Sequence, residues 1–179
     1  TSNNQATGLL PRIADVQETI TPIEGSWNVY FDPRWGGPGK VVFDELIDWT
    51  VHADTGIRYY SGTVVYHKEL NLAMPAQNER LLLRFPRLGS LARVWVNGKE
   101  VVTVWCSPWE ADITSYVHEG KNNLKIEVVN SLMNRMIGDA SLPESERFTY
   151  AYPQIATPTD KLVPSGIMEQ LNLVYRQCQ

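Results

Sequence analysis

An all-β fold, an antiparallel β-sandwich of jelly-roll type, is what the 179-residue sequence predicts. Short runs alternate apolar and polar residues with the two-residue period of strands that bury one face. Clusters of Gly, Pro, Asn and Asp interrupt those runs at short intervals, as turns between antiparallel strands do. No internal repeat and no long stretch of apolar residues at helical spacing competes with this reading.

Residues 1–24 hold Pro11 and Pro22 without sustained periodicity and read as a linker or a strap against a neighbouring surface. The domain proper is expected over 25–179, starting near Gly25. Trp27, Val29 and Phe31 alternate with Asn28 and Tyr30, giving the first predicted strand. The run Asp32–Gly39 then breaks regular structure, because its prolines lack a ladder donor and its glycines loosen the backbone. Val41–Phe43 and Leu46–Thr50 are short apolar pieces, followed by a turn at Asp54-Thr55-Gly56.

Val64, Tyr66, Leu70 and Leu72 recur at even spacing in a long strand, with Lys68 the exception. After a turn at 75–78, Leu81, Leu83 and Phe85 face away from Leu82 and Arg84. Asn97-Gly98 sits between two β-prone runs and tolerates the positive φ angles of a type I′ hairpin. If Val96 pairs with Lys99, then Ala92, Val94, Val101 and Thr103 share the core face, and Arg93, Trp95 and Glu100 the other. The hairpin runs out into an aromatic loop holding Trp105 and Trp109.

A short turn is expected over 111–117, with Asp112 accepting backbone N–H bonds before Ile113-Thr114. Gly120-Lys121-Asn122 makes another, ahead of a strand carrying Leu124, Ile126 and Val128. Residues 131–160 contain Pro143, Pro153 and Pro158 and little apolar rhythm, so they read as a long irregular segment of the functional or mobile kind. Ile167, Leu171, Leu173 and Tyr175 supply a closing strand.

A net charge of −4 without clustered Lys and Arg argues against a nucleic-acid partner. No apolar run approaches the ~20 residues that a membrane-spanning helix needs, and no membrane partner is expected. The polar start, without Met, is expected of a processed or truncated chain. Cys106 and Cys178 lack the paired spacing of a zinc site, and His52, His67 and His118 show no ligand spacing. No Asp-x-Asp-x-Asp loop indicates calcium, so no cofactor is assigned, although a structural calcium ion is compatible with such a sandwich.

Tyr60-Ser61-Gly62-Thr63-Val64-Val65-Tyr66, Ala92 to Lys99, Pro108 with Asp112-Ile113-Thr114, and Gly120 to Leu124 occur in that order. In this the chain, from Gly25 to Tyr175, resembles the galactose-binding-like sandwich that serves family 2 glycoside hydrolases as sugar-binding domain. More narrowly, Trp35-Gly36-Gly37-Pro38, Leu46 to Thr50, Asn134 to Asp139 and Pro164-Ser165-Gly166 look like the C-terminal sandwich of bacterial family 106 α-L-rhamnosidases. The resemblance implies an accessory module of a multidomain, extracellular or periplasmic enzyme acting on rhamnose-containing plant glycans. Partners would be a glycan or the other domains of that enzyme, the isolated domain being a monomer. The family's catalytic carboxylates lie in another domain, so no catalytic residue is carried over, and no inherited sugar contact is placed at Trp105 or Cys106.

Sugar recognition needs flat aromatic faces together with amides, carboxylates or Arg that pair with hydroxyl groups. Trp35, Arg58, Trp105, Trp109, Asn134, Arg135 and Asp139 supply those types and are the candidate carbohydrate contacts. Taken singly, each of these Trp residues is read first as structural. Asn134, Arg135 and Asp139 equally suit an internal Arg–carboxylate clamp, which is the preferred reading. Autonomous binding or adhesion is the competing function. Catalysis by this chain alone is disfavoured, because glycoside hydrolysis needs two convergent carboxyls and no other catalytic motif is present.

Overall fold

A computed structural model describes residues 17–150 and 155–178 of the chain. Ten strands are assigned: β1 Glu18–Pro22, β2 Trp27–Phe31, β3 Gly39–Phe43, β4 Thr63–Leu72, β5 Glu79–Arg84, β6 Leu91–Val96, β7 Lys99–Val104, β8 Glu110–Asp112, β9 Gly120–Val129 and β10 Asn172–Gln177. Two short helices join them, α1 at Thr55–Arg58 and α2 at Met133–Asp139. All the ladders are antiparallel, and they form a six-stranded sheet in the order β3-β2-β4-β9-β6-β7 and a four-stranded sheet in the order β1-β10-β5-β8. This is the expected β-sandwich.

The alternation predicted for β2, β4 and β9 is the alternation observed. Trp27, Val29, Phe31, Val64, Tyr66, Leu124, Ile126 and Val128 all point into one core, against Leu81, Leu83 and Leu173 of the other sheet. Removing apolar surface from water at ~25 cal/mol per Å² makes this core the main stabilising term. One edge of it is closed by loops. Trp49 is fully buried, stacks edge-on against Phe31 with centroids 5.2 Å apart, and donates from Nε1 to Tyr66 Oη at 2.7 Å. Burial pushes the Tyr66 hydroxyl well above its ordinary pKa, so it stays protonated. Gly166, at φ +87°, passes so near the indole that a Cβ there would lie 2.3 Å from Trp49 Nε1. Asp48 Oδ1 accepts from Ser165 N at 3.1 Å and binds the two segments together. Leu46–Thr50 and Pro164-Ser165-Gly166 are therefore two halves of one plug.

Three expectations are corrected. The segment read as linker or strap contributes strand β1 and the core residue Ile23, so the sandwich extends N-terminal to Gly25. Strand β1 is an edge strand exposed along its whole length, which leaves no alternation to read, and an edge tolerates Pro22. Residues 1–16 lie outside the described residues. In the hairpin, Val96 does pair with Lys99, and Asn97 and Gly98 take φ +52° and +79°. The ladder then shifts between Val94 and Trp95, so that Trp95 faces Glu100, Val94 faces Val102 and Ala92 faces Val104.

Val101 is the extra residue of this bulge. It still packs on the core, but Thr103 lies opposite Arg93 rather than Ala92, and Val104 is the buried residue. A run of Val-Val-Thr-Val offers apolar side chains in either register, so the pattern could not place it. The turn expected over 111–117 does form, as a 3-10 turn at Thr114–Tyr116, with Ala111 and Asp112 still in strand β8. Within 131–160, read as irregular, the chain forms α2 and a 3-10 turn at Glu144–Glu146, while residues 151–154 lie outside the described residues. Helix α2 buries Asn134, Arg135 and Asp139 as well as Met136 and Ile137, so apolar periodicity does not mark it.

Candidate functional site

The strand registers bring the predicted site residues to one end of the sandwich. Phe31 pairs with Val64, Thr63 with Val129, and Leu91 with Val129. The chain therefore leaves β2 toward Trp35, enters β4 from α1 with Arg58, and leaves β9 toward α2 at the same end. Strand β7 exits there toward Trp105, and the Trp109 carbonyl accepts from Phe85 N just beyond β5. With neighbouring strands ~4.8 Å apart, β2 and β7 lie about 19 Å apart, so the candidates fall into two groups.

The first group surrounds α1 and α2. Asp54 caps α1 by accepting from Gly56 N at 2.7 Å, and Arg58 is held by its Nε on the His52 carbonyl at 2.9 Å. Helix α2 is seated by Ser61, whose Oγ accepts from Arg135 N at 3.2 Å, and by Gly138, where a Cβ would lie 2.7 Å from the Tyr59 ring. Asn134 is fully engaged: its Nδ2 donates to the Val163 carbonyl at 2.7 Å and to Ser165 Oγ at 2.9 Å, and its Oδ1 accepts from Val163 N at 2.8 Å. It fastens the 163–165 segment and offers nothing to a ligand.

Arg135 and Asp139 form the clamp that their i, i+4 spacing allows, at 3.7 Å between Nη1 and Oδ1. Asp139 Oδ2 accepts from Phe148 N at 3.0 Å and from Thr149 N and Oγ1, both at 2.7 Å. This folds 148–149 over the helix and sets the Phe148 ring 5.0 Å from the Arg135 guanidinium. Asp139 Oδ1 is buried and has no hydrogen-bond partner among the described residues. Burial pushes the Arg135 pKa below its ordinary value, and the charge of Asp139 opposes that shift.

A pocket of about 280 Å³ opens beside this clamp, lined by Gly36, Thr55, Tyr59, Arg135, Ser141 and Phe148 among others. Gly36, at φ +76°, leaves space that a Cβ would take, 3.1 Å from Arg135 Nη1. The Arg135 Nε donates to the Tyr59 carbonyl at 3.0 Å, Nη1 lies 3.7 Å from Asp139 Oδ1, and the residue lines the pocket. A planar fork of donors between an aromatic ring and hydroxyls can take a carboxylate or neighbouring sugar hydroxyls. Trp35, which precedes Gly36, is 50% exposed.

The second group is simpler. Trp109 packs against the core, whereas Trp105 is 69% exposed. Tyr59, Thr55, Ser141 and Phe148 were not anticipated as lining residues, and no local signal marks them: they meet only through tertiary packing. Three acidic side chains that could serve catalysis have internal partners. Glu110 pairs with Arg84 and Arg176, Asp112 accepts from Thr114 N at 3.1 Å as a turn cap, and Glu144 accepts from Tyr150 Oη at 2.6 Å. Among the described residues no three His, Cys, Asp or Glu side chains gather to hold a metal ion.

Residues 14–176 match the profile of the glycosyl hydrolases family 2 sugar binding domain. A Formosa agariphila protein named "Putative beta-glucuronidase" is 38% identical over 123 residues, which are 68% of this chain and 11% of that protein. The structure of a rhamnosidase from Novosphingobium sp. PP1Y superposes with a TM-score of 0.84 and 30% identity over 89% of this chain and 15% of the other. A Ruminococcus gnavus β-glucuronidase, at TM-score 0.63 and 22% identity over 88% of this chain and 28% of its own, shares the fold. The chain thus spans a small part of each of these proteins. Its match over nearly the whole sandwich places it plainly: the chain belongs to the sugar binding domain family of the family 2 glycosyl hydrolases.

Proposed function

We propose that the chain is the noncatalytic accessory module of a larger bacterial glycoside hydrolase of the α-L-rhamnosidase type, exported to the periplasm or beyond, and that its Trp35–Arg135 end contacts glycan. The observation that carries this reading is the likeness to the Novosphingobium rhamnosidase, at TM-score 0.84 against 0.63 for the Ruminococcus β-glucuronidase. The four narrower motifs support it, since the structure gives them joint tasks: Gly36 abuts Arg135, and Trp49 abuts Gly166. A glucuronidase-type parent is the second reading, favoured by the 38% identity to the Formosa agariphila protein. Either way the module acts by positioning and contact, and Glu110, Asp139 and Glu144 are committed to internal partners.

The test is calorimetric titration of the chain with rhamnose-containing and glucuronate-containing oligosaccharides, alongside turnover assays on aryl α-L-rhamnosides and aryl β-glucuronides. The expected result is no turnover and preferential binding of the rhamnosides, lost in Trp35→Ala. Turnover by the chain would sink the accessory role. Preference for the glucuronate series that Trp35→Ala removes would move the parent enzyme to the second class.

A further inference from the structure

The outer face of the six-stranded sheet carries a groove of about 560 Å³ across β2, β3 and β4. Pairing sets its side chains on a grid, with Asn28 between Val42 and His67, and Tyr30 between Lys40 and Val65. Strand spacing and the two-residue repeat make that grid about 10 Å by 7 Å. Val42 is 61% exposed and Tyr30 39%. The side chains of Asn28, Tyr30, Lys40 and His67 make no hydrogen bond or ion pair among the described residues.

The rest of the same face behaves differently. On β9 and β6, Lys125 stands 3.7 Å over the Trp95 ring and pairs with Glu127 at 3.0 Å, and Arg93 lies 3.7 Å from Glu100. Polar groups are spent there and unspent in the groove. An aromatic and aliphatic floor edged with free donors and acceptors is what a pyranose requires, since its C–H face is apolar and its rim is hydroxylated. The volume falls within the ~300–1,000 Å³ of small-ligand sites. Lys40 is the one fully charged side chain among the described residues lining the groove, and no described carboxylate pairs with it, so its complement is an anion.

We propose that this groove binds oligosaccharides bearing carboxylate groups, with the sugar face on Tyr30 and Val42, the carboxylate on Lys40 and hydroxyls on Asn28 and His67. The groove lies on the sheet face, apart from the Arg135 pocket at the sandwich end, and stands independently of it. Titration of the 179-residue chain with oligogalacturonate and with its fully methyl-esterified form tests the idea. The acid form is expected to bind about tenfold tighter, a margin that falls as salt is raised. Lys40→Met should make the two forms equal, Tyr30→Ala should abolish both, and Trp35→Ala should change neither, with the circular dichroism of each variant as the check on folding. No binding of either form overturns the proposal, as does binding that Tyr30→Ala and Lys40→Met leave intact.

Discussion

The outer faces of the two sheets are built from the same alternation, yet one closes on itself and the other stays open. On the four-stranded sheet Glu18 stands opposite Arg176, and Arg84 opposite Glu110, with the row Ile20, Val174, Leu82 between them. Arg84 reaches Glu18 at 2.7 Å and Arg176 reaches Glu110 at 2.9 Å, both crossing that row, while Arg176–Glu18 and Arg84–Glu110, each 2.6 Å, complete a ring of alternating charge. Val174 and Leu82 are 0% and 4% exposed, although neither belongs to the core between the sheets. On the six-stranded sheet the side chains at the corresponding outward positions, Asn28, Tyr30, Lys40 and His67, have no hydrogen-bond or ion-pair partner among the described residues. Charge by itself therefore does not mark a recognition surface. What marks it is hydrogen-bonding capacity that the fold leaves unspent.

The contrast breaks most directly at its apolar members. Leu82→Ala should cost about 2–5 kcal/mol, because Leu82 is buried beneath the ring, whereas Val42→Ala in the open groove should stay within about 0.5 kcal/mol. Urea unfolding with an unchanged m-value reads both, and equal costs would show that the two faces are alike. The polar members come next. Glu110 contacts both arginines, and Glu110→Gln should cost about 1–3 kcal/mol. Glu127→Gln, which breaks the more exposed pair with Lys125, should cost about 0–1 kcal/mol.

Acid sharpens the same comparison with a smaller effect. The hydrogen bond from Arg84, seconded by Arg176 and opposed by partial burial, holds the Glu18 carboxyl below its ordinary value of 4.5. A carboxyl whose pKa is lower in the folded than in the unfolded chain contributes stability that is fully present above the unfolded value and fades as pH falls through the folded one. The urea midpoint of the native sequence should thus drop as pH is taken from 4.5 downward. Glu18→Gln should start lower at neutral pH and drop less. Parallel curves for the two proteins would remove Glu18 from the ring's energetics.

Legibility followed range along the chain. Periodicity announced β2, β4 and β9, since each buries one apolar face, and Asn97-Gly98 announced the hairpin through its positive φ angles. The Arg135–Asp139 clamp was readable because i, i+4 is a local relation. The bulge at Val101 was not readable, because neighbouring valines suit either register, and β1 was not, because an edge strand without a buried face has no rhythm. The charge ring joins residues from Glu18 to Arg176, a relation no window of sequence contains. The pocket beside Arg135 drew its lining from four separate segments for the same reason. The open groove was hidden differently: Asn28, Tyr30 and His67 look like the solvated half of any alternating strand, and only the fold shows that they gather beside Lys40 without a side-chain partner among the described residues.

That last distinction yields the smallest expected effect on stability. If Tyr30 and Lys40 serve the open face and not the fold, Lys40→Met should leave the unfolding free energy within about 0.5 kcal/mol, as for a surface residue without a partner. Tyr30→Ala removes a half-covered ring from a central strand, so a cost of about 1 kcal/mol is the ceiling, set by cross-strand contacts with Val65 and the Lys40 stem. Both substitutions would then alter ligand titrations far more than melting curves, the reverse of the order expected at Leu82 and Glu110. A Tyr30→Ala loss of the size expected for Leu82→Ala would mean that the ring is a structural support, and the two faces would differ only in how their support is built.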